Sequence, residues 1–291
     1  MPEGIEQIVR AAPTGAALGA VIEGVDLSGP LDGETFAAIH AAWIEHGVVV
    51  FRGQTLTDAE FVAFSSRFGK LDHAPIMENG QTMVEGVPEL YVISNIVRDG
   101  KPIGSLGAGE ASWHTDMSYE ERPPKASALY ALEIPPEGGD TCFLNMYAAL
   151  EALPAEMRRR LESASLRHDS SVNSGGYLRA GFDEVRNVSE APGASHPAVP
   201  VHPESGRPVL YLGRRLNSYV EGMKVSESEA LLDELWSHVE QERFTYRHRW
   251  QVGDLVLWDN RCTMHRRDPF DASTRRRLHR TQIQGERPRA A

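Results

Sequence analysis

Two cysteines in 291 residues, Cys142 and Cys262, are too few and too far apart for a disulfide framework or a zinc site. A reducing cytoplasm is the expected setting. Long hydrophobic runs are missing too. The longest, Val48-Val49-Val50-Phe51, suits a buried strand and falls far short of a membrane span. The opening MPEGIEQIVRAAPTG lacks the charged-then-apolar pattern of a secretion signal. Positive charge is also in deficit: 30 Lys and Arg against 41 Asp and Glu leave a formal net charge of −11. That balance argues against sequence-independent binding to nucleic acid. Internal repeats, low-complexity blocks and convincing linkers are absent, so one large domain over 1–291 is expected.

What is present reads as an ordinary mixed chain, 41% hydrophobic and 24% charged. Alternation with glycines over 14–30 suggests a hairpin of short strands. Residues 34–46 carry apolar side chains at helical spacing up to Gly47, a natural stop. Thr57-Asp58-Ala59-Glu60 and Ser226-Glu227-Ser228-Glu229 are capping-box patterns, each opening a helix. A further helix is expected over 145–163. Strands are expected at 48–51, 90–95, 126–135, 244–250, 254–258 and 277–284, with a strand–turn–strand unit over 196–213. The stretch 168–195 is polar and turn-rich, and long loops of that kind are often functional. Many short strands with a few helices favour an α+β, mainly β fold with a sandwich or jelly-roll core and helices outside.

The chemistry centres on His114-Thr115-Asp116. Two residues apart on extended backbone, an imidazole and a carboxylate point to the same side, within reach of one metal ion. Alone, such a pair is common. The glycine- and serine-rich 96–112 stretch before it reads as a lid-like loop or as plain surface loop. His265 follows the apolar strand Leu255–Trp258, 265 − 116 = 149 residues beyond Asp116. It could complete a two-histidine, one-carboxylate set, which favours Fe(II) and oxygen chemistry; a packed or surface histidine is the plain alternative. In TRRRLHRTQIQ, alternation puts Arg276, Leu278 and Arg280 on one face and Arg275, Arg277 and His279 on the other. Two inward arginines need anions.

The chain resembles the Fe(II)/2-oxoglutarate-dependent dioxygenases of the taurine dioxygenase and 2,4-dichlorophenoxyacetate dioxygenase group. WHTDMSY, PPEGGDTCFLNM, EGM, YRHRWQVGDLVLWDNRCTMHR and RRRLHRTQI carry the resemblance, in this order. It implies a double-stranded β-helix (jelly roll) core with flanking helices and iron held by His114, Asp116 and His265. It implies 2-oxoglutarate on Arg276 and Thr141, O2 as co-reactant, and a small anionic substrate met by Arg280 and, in the region lining the pocket of relatives, His73. The reaction implied is hydroxylation coupled to decarboxylation of 2-oxoglutarate to succinate and CO2, with cleavage when the attacked carbon bears a heteroatom. Desaturation or cyclisation on the same cofactors, and a non-catalytic metal-binding jelly roll, are the competing readings. Relatives form dimers or tetramers, and a homo-oligomer is expected here. Trp258 packs beside the metal or in the core, His202 is structural or functional, and Asn95 and Tyr119 line the pocket or pack. Arg275, Arg277, Arg287 and Arg289 remain solvated.

Overall fold

The computed structural model describes residues 9–75, 82–108 and 111–290. The chain runs β1 (Arg10–Pro13), β2 (Ala20–Glu23), α1 (Gly33–His46), β3 (Val48–Phe51), α2 (Asp58–Ser66), β4 (Tyr91–Ser94), β5 (Val97–Arg98), β6 (Lys101–Pro102), β7 (Ser105–Leu106) and β8 (Ala111–His114). There follow β9 (Ala126–Glu133), β10 (Thr141–Asn145), α3 (Met146–Glu151), α4 (Ala155–Glu162), β11 (Ser165–Arg167), β12 (Ser195–Pro197), β13 (Tyr219–Val220) and α5 (Val225–Val239). Strands β14 (Thr245–His248), β15 (Leu255–Asp259), β16 (Thr263–Arg267) and β17 (Arg277–Ile283) complete it.

Most expected elements form for the expected reasons. Asp32 caps α1 by accepting the Thr35 N–H, and Gly47, at φ +70°, ends it. Thr57 and Glu60 close the capping box on α2. Three expectations change. The helix over 145–163 is two helices, because Pro154 cannot continue the first and instead starts α4. The second capping box does not form: α5 begins at Val225 with Lys224 at its cap, so Ser226 lies inside the first turn. The 14–30 hairpin is shifted towards the N-terminus, with β1 and β2 pairing around a loop at 14–19. Within 96–112, β5 and β6 form a hairpin whose turn residues, Asp99 and Gly100, both have positive φ, as a two-residue turn requires; residues 109 and 110 lie outside the described residues.

Two sheets organise the described residues. The larger has eight strands in the order β1-β2-β3-β15-β9-β17-β4-β7, and the smaller four in the order β14-β10-β16-β8. Alternation along the strands sorts their side chains into three cores. Val49, Phe51, Tyr130, Leu255 and Leu257 face α1 and α2 on the outside of the large sheet. Cys142, Leu144, Met264 and Trp113 face α3 and α5 on the outside of the small one. Val48, Val50, Phe143, Val256, Trp258 and Leu278 meet between the sheets. That middle layer is where inward-facing residues of distant strands converge, and the site opens from it.

Candidate metal centre

His114 is the last residue of β8 and lies opposite His265 in the β8–β16 register. Phe143 holds the facing position on β10. The register therefore stacks the two imidazoles, with ring centres 4.2 Å apart. Asp116 follows two residues after His114. Its Oδ1 lies 3.6 Å from His114 Nε2 and 4.0 Å from His265 Nε2. Met117, at φ +45°, then turns the chain away. All three side chains are buried and their ligand atoms lie within 4.8 Å of one another.

The protonation states suit metal binding. His114 Nδ1 lies 2.7 Å from the Ser112 carbonyl and donates to it, which turns Nε2 towards Asp116. Burial, reinforced by His114, pulls His265 down to about 3, so its ring is neutral. Burial alone would raise Asp116, but the Arg280 guanidinium beside it outweighs that and holds the carboxyl well below its usual range. Two imidazoles and a carboxylate form the donor set that suits divalent iron, with further positions open to other ligands. A second grouping, His202, Asp259 and Cys262, does not fit a metal. Asp259 is already taken by Arg261 at 2.6 Å and His202 at 3.0 Å, and burial pushes the Cys262 thiol well up.

The ligand set opens into a cavity of about 1300 Å³ that also reaches Thr141, Arg276, Arg280 and Arg214. Arg276, just before β17, is 2% exposed. Its one guanidinium hydrogen bond runs from Nη2 to the Gly139 carbonyl at 3.3 Å, its Nε is buried without a partner, and no carboxylate pairs with it among the described residues. Burial, with Arg267 nearby, pulls it down to about 9. A guanidinium so placed calls for an anion. Thr141 Oγ1 accepts the Trp250 indole N–H at 3.0 Å, leaving its own proton to donate into the cavity.

Other sequence-predicted residues fall as follows. Arg280 faces the cavity with Arg276, as alternation required, but its Nη1 lies 3.5 Å from Asp116 Oδ1 and its guanidinium sits over the Tyr91 ring. His279 points the opposite way, to Asp58 of α2. Trp258 does both things expected of it, being fully buried with its ring 4.8 Å from that of His265. His73 is exposed on the cavity rim, and Tyr119 lines the cavity beneath Arg179. Asn95 does not line it; the side chain instead ties down the turn before Arg276. His202 is a buried structural partner of Asp259, and Arg275, which stays exposed, and the partly exposed Arg277 both pair with Glu133.

Sequence reasoning missed Arg214. It bridges to His114 through the backbone and donates to the Val172 carbonyl at 2.7 Å, while its Nε is buried and unpartnered. No carboxylate pairs with it among the described residues, and burial lowers its pKa. Its segment, LGRRLN, carries no periodicity that could have pointed inward.

Register, donor set and unpaired arginines together define a mononuclear non-haem iron site with an anion pocket beside it. Residues 10–282 match the family described as taurine catabolism dioxygenase TauD, TfdA family, and the chain belongs to it. It is 38% identical to the alpha-ketoglutarate-dependent 2,4-dichlorophenoxyacetate dioxygenase of Cupriavidus pinatubonensis, over 94% of this chain and 96% of that one. To the (S)-phenoxypropionate/alpha-ketoglutarate-dioxygenase of Delftia acidovorans it is 32% identical, over 97% of each. The crystal structure of a taurine dioxygenase from Burkholderia xenovorans superposes with a TM-score of 0.77 at 35% identity, covering 96% of this chain and 92% of that one. The mixed, mostly sheet fold is that of these dioxygenases. The protein is a non-haem iron dioxygenase that uses Fe(II), 2-oxoglutarate and O2. No helix among the described residues is long and apolar enough to cross a membrane.

Proposed function

We propose that the chain hydroxylates a small organic anion, an aryloxyalkanoate- or taurine-like carboxylate or sulfonate, while 2-oxoglutarate is converted to succinate and CO2. The fold carrying this reaction is read as a double-stranded β-helix, formed by the facing sheets. The observation that carries the proposal is cationic surface turned into the cavity: Arg276 and Arg214 line it, each with a buried, unpartnered Nε and with no carboxylate partner among the described residues. Arginines placed in this way suit two anions, one on the cosubstrate and one on the substrate.

His114, Asp116 and His265 would hold the iron, which when bound supplies the oxygen-activating redox chemistry. Arg276 takes the far carboxylate of 2-oxoglutarate in a charge-assisted contact, and the Thr141 hydroxyl donates to the same group. Trp258 and Phe143 keep water from the inner wall of the site. Arg214, from the loop bridged to His114, and Arg280, from β17, flank the substrate's anionic group, and His73 meets it at the rim. The 96–112 segment acts as a lid over this opening, and 168–195, which supplies Tyr177 and Arg179 to the cavity, sets substrate choice. Buried free thiols at Cys142 and Cys262 fit a reducing compartment such as the cytoplasm. Exposed Tyr177, Leu178, Phe182 and Leu216 offer apolar surface for a homo-oligomer.

The test is anaerobic addition of Fe(II) and 2-oxoglutarate, followed by succinate release screened over carboxylates, sulfonates and aryloxy acids. Wild type should give the visible band of the iron–cosubstrate chelate, and Arg276→Lys should weaken 2-oxoglutarate binding by about 10- to 100-fold. Arg214→Gln and Arg280→Gln should raise KM for anionic substrates and leave the chelate band intact. If both variants keep wild-type KM for every anion turned over, the anion-clamp reading is wrong.

A further inference from the structure

Behind Asp116 runs a chain of three buried hydrogen bonds. Ser127 Oγ lies 2.7 Å from Asp116 Oδ2, Asn260 Nδ2 lies 3.0 Å from Ser127 Oγ, and Trp258 Nε1 lies 2.8 Å from Asn260 Oδ1. Sheet register builds it. Ser127 of β9 sits opposite Trp258 of β15, and Asn260 lies two residues beyond Trp258, so all three side chains share the inner face. Each of the three is at most 1% exposed, which keeps water out of the chain.

Its polarity is forced by donor chemistry. The indole N–H of Trp258 can only donate, so the amide oxygen of Asn260 faces it. The amide nitrogen then faces Ser127 and donates to its oxygen. With that lone pair engaged, the hydroxyl proton of Ser127 goes to Asp116, whose carboxylate can only accept. Nothing in the sequence suggests alternative partners: a lone serine in ASALYALE and an asparagine after a tryptophan look like strand filler.

The two oxygens of Asp116 thus have different surroundings. Oδ1 faces His114, His265 and Arg280, whereas Oδ2 is held back by Ser127. We infer that the Trp258–Asn260–Ser127 chain is a positioning device that presents Asp116 to the metal through one oxygen only. Were both oxygens to bind, the carboxylate would occupy a position needed for 2-oxoglutarate or O2. Trp258 also packs on the His265 ring at 4.8 Å, so one residue steadies two of the three ligands.

This inference rests on the proposed ligand roles of His114, Asp116 and His265, and the experiment separates the two. Mn(II) and Co(II) affinities are measured for wild type, Ser127→Ala, Trp258→Phe and Ser127→Thr, with the Co(II) absorption spectrum and the apo-protein's melting temperature. Wild type should bind both ions. Ser127→Ala should lose about 10- to 100-fold in affinity, the range expected when an outer partner of a ligand is removed, and its Co(II) bands should shift. Trp258→Phe deletes the first donor and trims the ring that packs on His265, leaving the Ser127–Asp116 bond, and should give a smaller loss in the same direction. Ser127→Thr, which keeps the hydroxyl, should restore binding. If Ser127→Ala does not fold, Trp258→Phe with the Co(II) spectrum decides. Wild-type affinity and an unchanged spectrum in the alanine and phenylalanine variants would overturn the positioning role. Failure of wild type to bind either ion would overturn the ligand assignment itself.

Discussion

The backbone N–H of Arg276 donates to the side-chain oxygen of Asn95 at 2.9 Å, tying the entry to β17 to the end of β4. The amide nitrogen of Asn95 donates to the carbonyls of Thr274 at 2.7 Å and Ala272 at 3.2 Å. One side chain therefore satisfies three backbone groups of the turn that enters β17. Backbone donors and acceptors on known sides fix the amide orientation.

Asn95→Ala should remove all three bonds and loosen Arg276 without touching the cavity. Each neutral bond is worth about 1 kcal/mol, so a fall in stability of roughly 2 kcal/mol is expected once water replaces part of the loss. KM for 2-oxoglutarate should rise several-fold, with kcat changed less. Isothermal titration with 2-oxoglutarate in the presence of Mn(II) measures the effect directly. Lower stability with unchanged 2-oxoglutarate affinity would reduce Asn95 to a plain loop anchor.

Gly139 offers a sharper probe of the same pocket. It stands at φ +70°, and a Cβ there would lie 3.2 Å from Arg276 Nε. Its carbonyl also receives the Arg276 Nη2 hydrogen bond. Gly139→Ala should cost about 1–2 kcal/mol for the left-handed backbone and push the guanidinium off its present line. Gly53→Ala is the control: φ is +61° there, but nothing lies within 4 Å of the added carbon. Both variants should melt earlier by chemical denaturation, while only Gly139→Ala should bind 2-oxoglutarate more weakly. Equal cosubstrate affinity in the two would mean that Arg276 yields to the methyl group.

Parity was the most reliable message in the sequence. It placed His114 with Asp116, and Arg276 with Arg280 against His279, because side chains on a strand alternate whatever the strand packs on. The β17 face is the one observed, with His279 and Thr281 bonded to α2 and Arg280 in the cavity. What could not be read depends on which strands become neighbours. Ser127 meets Asn260 only because β9 lies beside β15, and Arg214 reaches the cavity only because its loop bridges to His114. For Asn95 the sequence left lining the pocket and packing both open, and its hydrogen bonds go to backbone groups 177 to 181 residues away, which no local pattern encodes. The break at Pro154, by contrast, was legible and was overrun by a persuasive apolar period on either side of it.

His168 and His196, together with His248, His265 and His279, weaken the protein in acid, because burial lowers each of them. His168 is 2% exposed, and neither ring nitrogen has a hydrogen-bond partner. Its ring lies 5.2 Å from that of His196 and 5.4 Å from that of Tyr211, with the Arg214 charge nearby. Burial first, then His196 and Arg214, hold His168 well below its usual value of 6.5. Burial lowers His196 as well, despite its bond to the Glu120 carbonyl. Both folded-state values lie below those of the unfolded chain. As the pH falls below 6.5, the unfolded chain therefore binds more protons than the folded one, and stability declines. Each histidine contributes a slope of at most about 1.4 kcal/mol per pH unit. Urea unfolding of the metal-free protein between pH 7.5 and 5 should show the decline beginning near 6.5, and His168→Phe, which keeps a ring but cannot take a proton, should flatten it. The reference stability of that variant at pH 7.5 can move either way, since two unpartnered buried nitrogens are lost while the larger ring meets Gly213, so the slope is the quantity compared. An identical slope in wild type and His168→Phe would show that His168 protonates in the folded state as easily as in the unfolded one.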